Sequence, residues 1–435
     1  MERKNYRPVA ILSPLSKVLE KVIYEQVYNY FTKFSLFHPN LHGYRKNRST
    51  QTALLQVYDR WVRASDEGKL SGVVLLDLSA AFDLVDSGLL LQKLKMYGFD
   101  SDILAWVKSY LTNRYQAVWI DHALSEFLPC EVGVPQGSNL GPLLFLIFYN
   151  DLPLSLNCPL DAYADDSTMS VSGTTVEEIS NSLTDCCKTV SDWMLGNKLK
   201  LNADKTHQLT VGTSSRLRVQ DSSVEVNMDG ITLTENPDRN ELLLGCYIES
   251  NLKWHKQIDY LMGKLQIRLG ALRKLGNRLP FKLRNRIAEG IFTSVLTYCL
   301  PVFGGCGKGD LDALQVMQNS AARYVAQSRK DVSRKDLFRE VRWLTVRQLI
   351  YYHTALTIHR IRNAQEPEYL SEILTRDNNK IIIPNSNLTL AKQSFCFRGA
   401  EDWNKLPIEI RACRKIGTFK TKLRSWILDN TSQFS

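Results

Sequence analysis

At 435 residues the chain is long enough to bury a substantial core and to divide into two or three units. A composition 44% hydrophobic and 23% charged fits a globular chain, and the net charge of +10 points either to a polyanionic partner or to plain solubility. Nine cysteines, an odd count without any Cys-x-x-Cys pair, argue against a disulfide framework and a cysteine zinc site.

Taken in chain order, apolar residues at helical spacing (Leu15, Val18, Leu19, Val22, Ile23, Val27, Tyr30) predict a helix over 12–34, and a second is expected over 52–64. The aliphatic run Val73-Val74-Leu75-Leu76 reads as a buried strand that delivers Asp77 at its end. Phe82 follows five residues later; it is either ordinary core or a bulky ring beside a nucleotide sugar. The segment Gly133-Val134-Pro135-Gln136-Gly137-Ser138-Asn139-Leu140-Gly141-Pro142 is a loop whose glycines permit close backbone approach, or simply a turn before the apolar helix Leu143–Phe148. That apolar run is shorter than the roughly 18 residues of a membrane span. No apolar leader resembles a signal peptide, so a nuclear or cytoplasmic protein, neither secreted nor membrane-bound, is expected.

Tyr163-Ala164-Asp165-Asp166 lies at an expected hairpin tip between Leu160-Asp161-Ala162 and Ser167-Thr168-Met169-Ser170-Val171. Adjacent carboxylates repel, and a bound divalent cation relieves that cost; the alternative is a solvated turn. Successive strand side chains face opposite ways, so Asp165 and Asp166 are not expected to be equivalent ligands. A helix over 176–195 is expected to pack beneath these strands, giving an α+β pattern with a mainly antiparallel sheet.

Beyond Trp254 the character changes. Ile258, Leu261, Leu265, Leu269 and Leu272 form one helical stripe, with Lys264, Arg268, Arg273 and Lys274 among a dense basic complement. That face suits a phosphate backbone or is merely solvated. Helices are expected over 283–295, 310–326, 343–364 and 418–428, with a connecting loop over 376–386. His353 and His359 are assigned structural roles.

In this order the elements resemble the reverse transcriptases of non-LTR (LINE-type) retrotransposons, closest to the jockey-like group. Asp77–Asp83 resembles the first catalytic motif, Gly133–Phe145 the Pro-Gln-Gly loop and Tyr163–Asp166 the Tyr-X-Asp-Asp hairpin. Asn5-Tyr6-Arg7-Pro8-Val9 and the run from His42 to Thr50 resemble fingers motifs. Leu199–Thr206 resembles the lysine-bearing motif, Leu243–Ile248 the primer grip, and Trp403-Asn404-Lys405-Leu406-Pro407 part of the region after the thumb. The resemblance implies a right-hand polymerase: fingers and palm over 1–250, a helical thumb over 251–330 and a mostly helical post-thumb region over 331–435. It implies catalytic carboxylates at Asp77, Asp165 and Asp166 and two Mg²⁺ ions, with Mn²⁺ as a substitute, held by these and the Leu78 carbonyl. Nucleotide contacts are implied for Arg45, Arg48, Phe82, Gln136, Gly137 and Lys205, and primer–template contacts for Lys264, Arg268, Arg273 and Lys274. The implied partners are an RNA template, a DNA primer and deoxynucleoside triphosphates; the oligomeric state stays open. Relative to the family the chain reads as shortened at its N-terminus, without the endonuclease. Two functions follow: an RNA-directed DNA polymerase, or a non-catalytic remnant that binds RNA or primer–template. A diguanylate-cyclase-like palm lacks its Gly-Gly-Asp/Glu-Glu-Phe signature.

Overall fold

The computed structural model describes residues 9–78, 80–202, 205–219, 224–276, 278–374, 376–377 and 379–434. Asn5–Pro8 of the first fingers-like motif and Ala203–Asp204 of the lysine-bearing motif lie outside them. The chain feeds two compact units in alternation. One comprises Met1–Lys46, Gly72–Gln208 and Ser223–Glu235; the other comprises Asn47–Ser71, Leu209–Ser222 and Asn236–Ser435.

In the first unit the strand Leu160–Tyr163, the strand Asp166–Gly173 and residues 72–76 of the strand Leu70–Leu76 lie side by side in that order. Val73, Val74 and Leu76 are buried because an aliphatic strand covered on both faces loses water from every side chain. The helix Val176–Gly196, capped by Thr175 through Glu178 N–H, buries Ile179, Leu183, Val190 and Met194. The expected helix and hairpin are therefore both present. The helix Gly141–Tyr149 buries nearly every side chain.

The first helix, Pro14–Lys33, departs from the expected stripe. Val27, Tyr28 and Phe31 are buried, whereas Leu15 (82%), Val18 (66%), Leu19 (52%) and Val22 (49%) stand exposed. Its N-terminal half is fixed instead through Glu20, which is 1% exposed and accepts from Ser16 Oγ and the Asn139 N–H.

In the second unit the helix Thr50–Asp66 is enclosed nearly all round, burying Leu54, Leu55, Tyr58, Trp61 and Val62. Tyr58 donates to the Leu252 carbonyl, and Asp66 accepts from the Asn387 and Leu388 N–H groups. The helix His255–Lys274 buries Ile258, Leu261, Leu265, Leu269 and Leu272, the stripe expected from sequence. The next helix runs Phe281–Ala288, loosens into a π turn at Glu289–Thr293 and ends at Ser294–Thr297. Helices Lys308–Ala326, Val346–Ala364 and Ile416–Asp429 follow. Within the expected connecting loop, Arg376–Asp377 and Lys380–Ile381 pair as a small antiparallel hairpin.

Candidate active site

Pairing runs to the tip of the acidic hairpin: Ala162 faces Ser167 and Tyr163 faces Asp166, leaving Ala164 and Asp165 as a two-residue turn. Ala164 adopts φ +59°, at the first central position where glycine is favoured in primed hairpin turns. The tip is braced from the side. The segment 40–42 runs along the outer strand, with Ala162 N–H donating to Asn40 O and His42 N–H to Ala162 O. Gly43 then approaches so closely that a Cβ there would sit 2.3 Å from the Ala164 nitrogen. A glycine is required by space, not by φ. The brace holds Asp165 half-buried and leaves Asp166 exposed.

Asp77 follows the strand Leu70–Leu76, whose neighbour in the sheet is the strand beginning at Asp166. Its carbonyl accepts from Asn202 N–H, and Leu78 bridges Leu201. Lys205 Nζ stands 3.8 Å from the Asp77 carboxylate. That ammonium is mostly solvated, so the pairing is weak and the cation is free to move.

Tyr44, a charge neighbour of Asp165, joins an aromatic column. Phe82 stacks on Phe145 at 4.5 Å and meets the Tyr44 ring edge-on at 6.0 Å. Burial, the Asp165 carboxylate and Tyr163 push the Tyr44 phenol above its ordinary range. Phe82 thus keeps both readings: its ring is packed, yet half-exposed in the neighbourhood of Asp165.

The Gly-rich loop packs on the same segment. Gly133 N–H donates to Val85 O and Val134 N–H to Phe82 O. Gly133, at φ +91°, lies against the Asp83 backbone, where a Cβ would meet atoms at 2.8–3.0 Å. Gln136 Nε2 donates to Asp83 Oδ1 at 2.9 Å, while Gly137, at φ +98°, is exposed. Ser138 Oγ donates to Pro135 O and accepts from Gly141 N–H, which sets the loop on its helix.

The two fingers arginines are engaged with protein groups. Arg45 donates to the carbonyls of His38 and Leu41 and lies over the Phe37 ring. Arg48, in the second unit, has a side chain only 2% exposed and pairs with Glu366 at 3.4 Å. Arg45 and Arg48 are thus both occupied in this structure.

Lys264, Arg268, Arg273 and Lys274 are all exposed. At ~100° per residue Lys264 and Arg268 lie ~40° apart, whereas Arg273 falls ~180° from Lys264. Lys274 points away from the buried stripe, so the four do not form one face. Lys264 Nζ also sits over the Tyr260 ring at 4.1 Å. Arg284, in the next helix, is buried and donates to the carbonyls of Val325 and Leu279, so it serves the core.

Asp77, Asp165 and Asp166 offer hard oxygen donors, the right chemistry for Mg²⁺. Among the described residues no three His, Cys, Asp or Glu side chains converge closely enough to hold a metal ion by themselves. Magnesium sites of phosphoryl transfer take one or two carboxylates and complete their shell with substrate phosphates and water. The donors present fit that share of the shell, not an all-protein cage.

A strand ending in aspartate, an Asp-Asp hairpin and a Gly-rich loop thus gather in one unit. Residues 2–262 match the family described as Reverse transcriptase (RNA-dependent DNA polymerase). The chain belongs to the reverse transcriptase family. It is 27% identical over 376 residues to the probable RNA-directed DNA polymerase from transposon BS of Drosophila melanogaster, covering 82% of this chain and 40% of that protein. It is 25% identical over 339 residues to the RNA-directed DNA polymerase from mobile element jockey of Drosophila funebris, covering 74% of this chain and 36% of that one. The chain therefore spans 36–40% of the length of these relatives, and the jockey-type, non-LTR resemblance is borne out. A solved structure, apo telomerase from Candida tropicalis, overlaps 96% of this chain and 60% of its own at 10% identity and a TM-score of 0.42. No described helix is long and apolar enough to cross a membrane.

Three residues of this candidate site are not singled out by the sequence pattern. Asp83 holds Gln136, Tyr44 shares the field of Asp165, and Glu20 anchors the Gly-rich loop at Asn139. Asp83 and Tyr44 lie inside motifs already noticed. Glu20 carried no such signal, because Glu25, Lys17 and Lys21 share its helix.

Proposed function

We propose that the chain is an RNA-directed DNA polymerase that adds deoxynucleotides to a DNA primer on an RNA template. The observation that carries this reading is the braced hairpin presenting Asp165 and Asp166 in the same sheet as the strand leading to Asp77. In this reading Asp77 and Asp165, with the Leu78 carbonyl, contribute to binding two Mg²⁺ ions or Mn²⁺ in their place; Asp166 is the weaker or indirect ligand. When bound, the metal pair stabilises charge on the attacking and leaving oxygens. The chain's own groups orient the reactants. Phe82 limits room at the sugar, Gln136 and Gly137 line the nucleotide and template path, and Lys205 moves from Asp77 to donate a proton to departing pyrophosphate. Lys264 and Arg268 contact the primer–template backbone. Arg45 and Arg48 act as triphosphate clamps only after release from their protein partners. The reading assigns fingers and palm to 1–250, thumb to 251–330 and the post-thumb region to 331–435, and an intracellular site of action.

The occupied Arg45 and Arg48 favour a second reading, a chain that binds RNA or primer–template without turnover. Extension of a DNA primer on a homopolymer RNA template by purified protein separates the two. The polymerase reading expects extension by wild type, and none above background by Asp165→Ala or Asp77→Ala, while primer–template affinity stays near wild type. Extension by Asp165→Ala at the wild-type rate removes the metal-site assignment. Binding without extension by wild type supports the second reading.

A further inference from the structure

The second unit contains a cavity of about 280 Å³ in elements that carry none of the three aspartates. Its walls include Arg362, Arg411 and Arg414, and no Asp or Glu is among the described residues lining it. The floor is fixed by packing. Trp403, 1% exposed, stacks on Phe419 at 5.8 Å, and the Arg362 guanidinium lies over the indole at 4.5 Å. The buried indole Nε1–H has no hydrogen-bond acceptor among the described residues. A buried donor without an acceptor costs roughly 1–3 kcal/mol, so a ligand or water oxygen there is favoured.

The rim is equally constrained. Arg411 donates through Nε to Leu406 O and through Nη1 to Asn379 O. Asn363 Nδ2 donates to Arg414 O. His359 stacks on Phe419 at 4.1 Å and contacts Cys413 O through Nε2 at 2.8 Å. Burial lowers the His359 pKa, with Arg362 and Arg360 adding to the effect although the Cys413 contact opposes it. The ring is thus favoured neutral and can donate from Nε2, which fixes the 412–414 turn. The guanidinium of Arg414 makes no hydrogen bond or ion pair with any other described residue.

We propose that this cavity binds a phosphate group, carried by a nucleotide or by the end of a nucleic-acid strand. Guanidinium donors match phosphate oxygens in geometry and charge, and a buried N–H adds a donor without adding charge. The volume limits the guest to about one nucleotide, because ligand pockets start near ~300 Å³. A duplex does not enter. The site needs no metal and does not depend on the polymerase reading.

The test uses the full chain carrying Asp77→Asn and Asp165→Asn, in EDTA, so that neither metal nor polymerase chemistry contributes. Calorimetry measures inorganic phosphate and deoxyadenosine triphosphate. Fluorescence anisotropy compares one labelled oligoribonucleotide with a 5′-phosphate or a 5′-hydroxyl. Tighter binding of the 5′-phosphate form identifies a strand end; binding of the free triphosphate without that preference identifies a nucleotide. In either case Arg414→Gln should weaken the preferred ligand by on the order of tenfold, as for a lost hydrogen bond to a charged group. Trp403→Phe, which keeps an aromatic six-membered ring but removes the N–H with the rest of the pyrrole ring, should weaken it by a smaller factor. Arg414→Gln is exposed and removes no structural bond, so its thermal melt should match wild type. The proposal is overturned if Arg414→Gln leaves phosphate, triphosphate and both oligonucleotides bound as in wild type. Binding that chloride suppresses as well as equimolar phosphate also overturns it, because the cavity then selects only charge.

Discussion

Phe82 is the residue on which packing and sugar choice meet. Its ring stacks on Phe145 and touches Tyr44, so removing it loosens an aromatic column as well as opening space. Phe82→Ala is expected to raise ribonucleotide use relative to deoxyribonucleotide use by about tenfold, since each ~1.4 kcal/mol of lost discrimination is one decade. Single-nucleotide incorporation with both sugars checks this, together with a thermal melt. A lower melting temperature with an unchanged sugar ratio would return Phe82 to the core alone. Asp83 carries the opposite lesson. It lies six residues after Asp77 in the same motif, yet its visible work is a hydrogen bond to Gln136 from across the Gly-rich loop. Such a partner cannot be read from spacing, because the two residues are 53 apart in the chain.

At the scale of elements, the hairpin depends on its neighbour as much as on its own turn. Gly43 touches the Ala164 backbone, and backbone atoms cannot rotate aside as a side chain can. Gly43→Ala is therefore expected to displace the tip and cut extension at least tenfold with primer–template binding preserved, since ~1 Å misplacement of a reacting group costs on the order of 10²-fold. Wild-type extension by a folded Gly43→Ala protein would show that the close approach can relax. The elements themselves were legible where one period dominated: the stripe from Ile258 to Leu272, the hairpin, and the helix Val176–Gly196. The helix Thr50–Asp66 was also expected, but not its near-complete enclosure, because its partners at Leu252, Tyr369 and Asn387 lie hundreds of residues away. The ion pair of Arg48 was illegible for the same reason: Glu366 is 318 residues distant. The basic helix was legible only in part. Its charge density was plain, but helical phase separates Arg273 from Lys264 and Arg268. Lys264→Gln with Arg268→Gln is thus expected to weaken binding on unrelated duplexes alike. If both contact phosphates, the pair should flatten the log–log salt slope by up to ~1.8 for B-form DNA, at ~0.9 per contact. Arg273→Gln alone should change it less. Equal slopes in wild type and the double variant would make this face merely solvated.

The whole molecule carries a net charge of +10, and acidification adds more positive charge, so acid stability tests how its buried bases and acids balance. Burial, helped by Arg360 and Lys420, depresses the His353 pKa to about 4. His359 is shifted the same way, chiefly by burial. Above the unfolded value near 6.5 both folded and unfolded His353 are neutral, and its full contribution to stability is present. Between pH 6.5 and 4 the unfolded chain takes up a proton that the folded chain refuses. Stability is therefore lost as pH falls through that window, at roughly 1.4 kcal/mol per pH unit while the imbalance is complete. Glu249 and Asp402 act in the other direction: burial holds both carboxyls above their ordinary range, so their protonation favours the fold as pH falls. Comparing wild type with a histidine variant isolates the histidine term. Denaturant melts at pH 7 and pH 5 should show a drop in wild type that shrinks by about 2 kcal/mol in His353→Gln, whose side chain stays neutral throughout. The variant should lose some stability at pH 7 from altered packing, but its pH dependence is the diagnostic quantity. An identical pH 7-to-5 drop in both proteins would mean that His353 titrates normally in the folded chain and that its helix admits water.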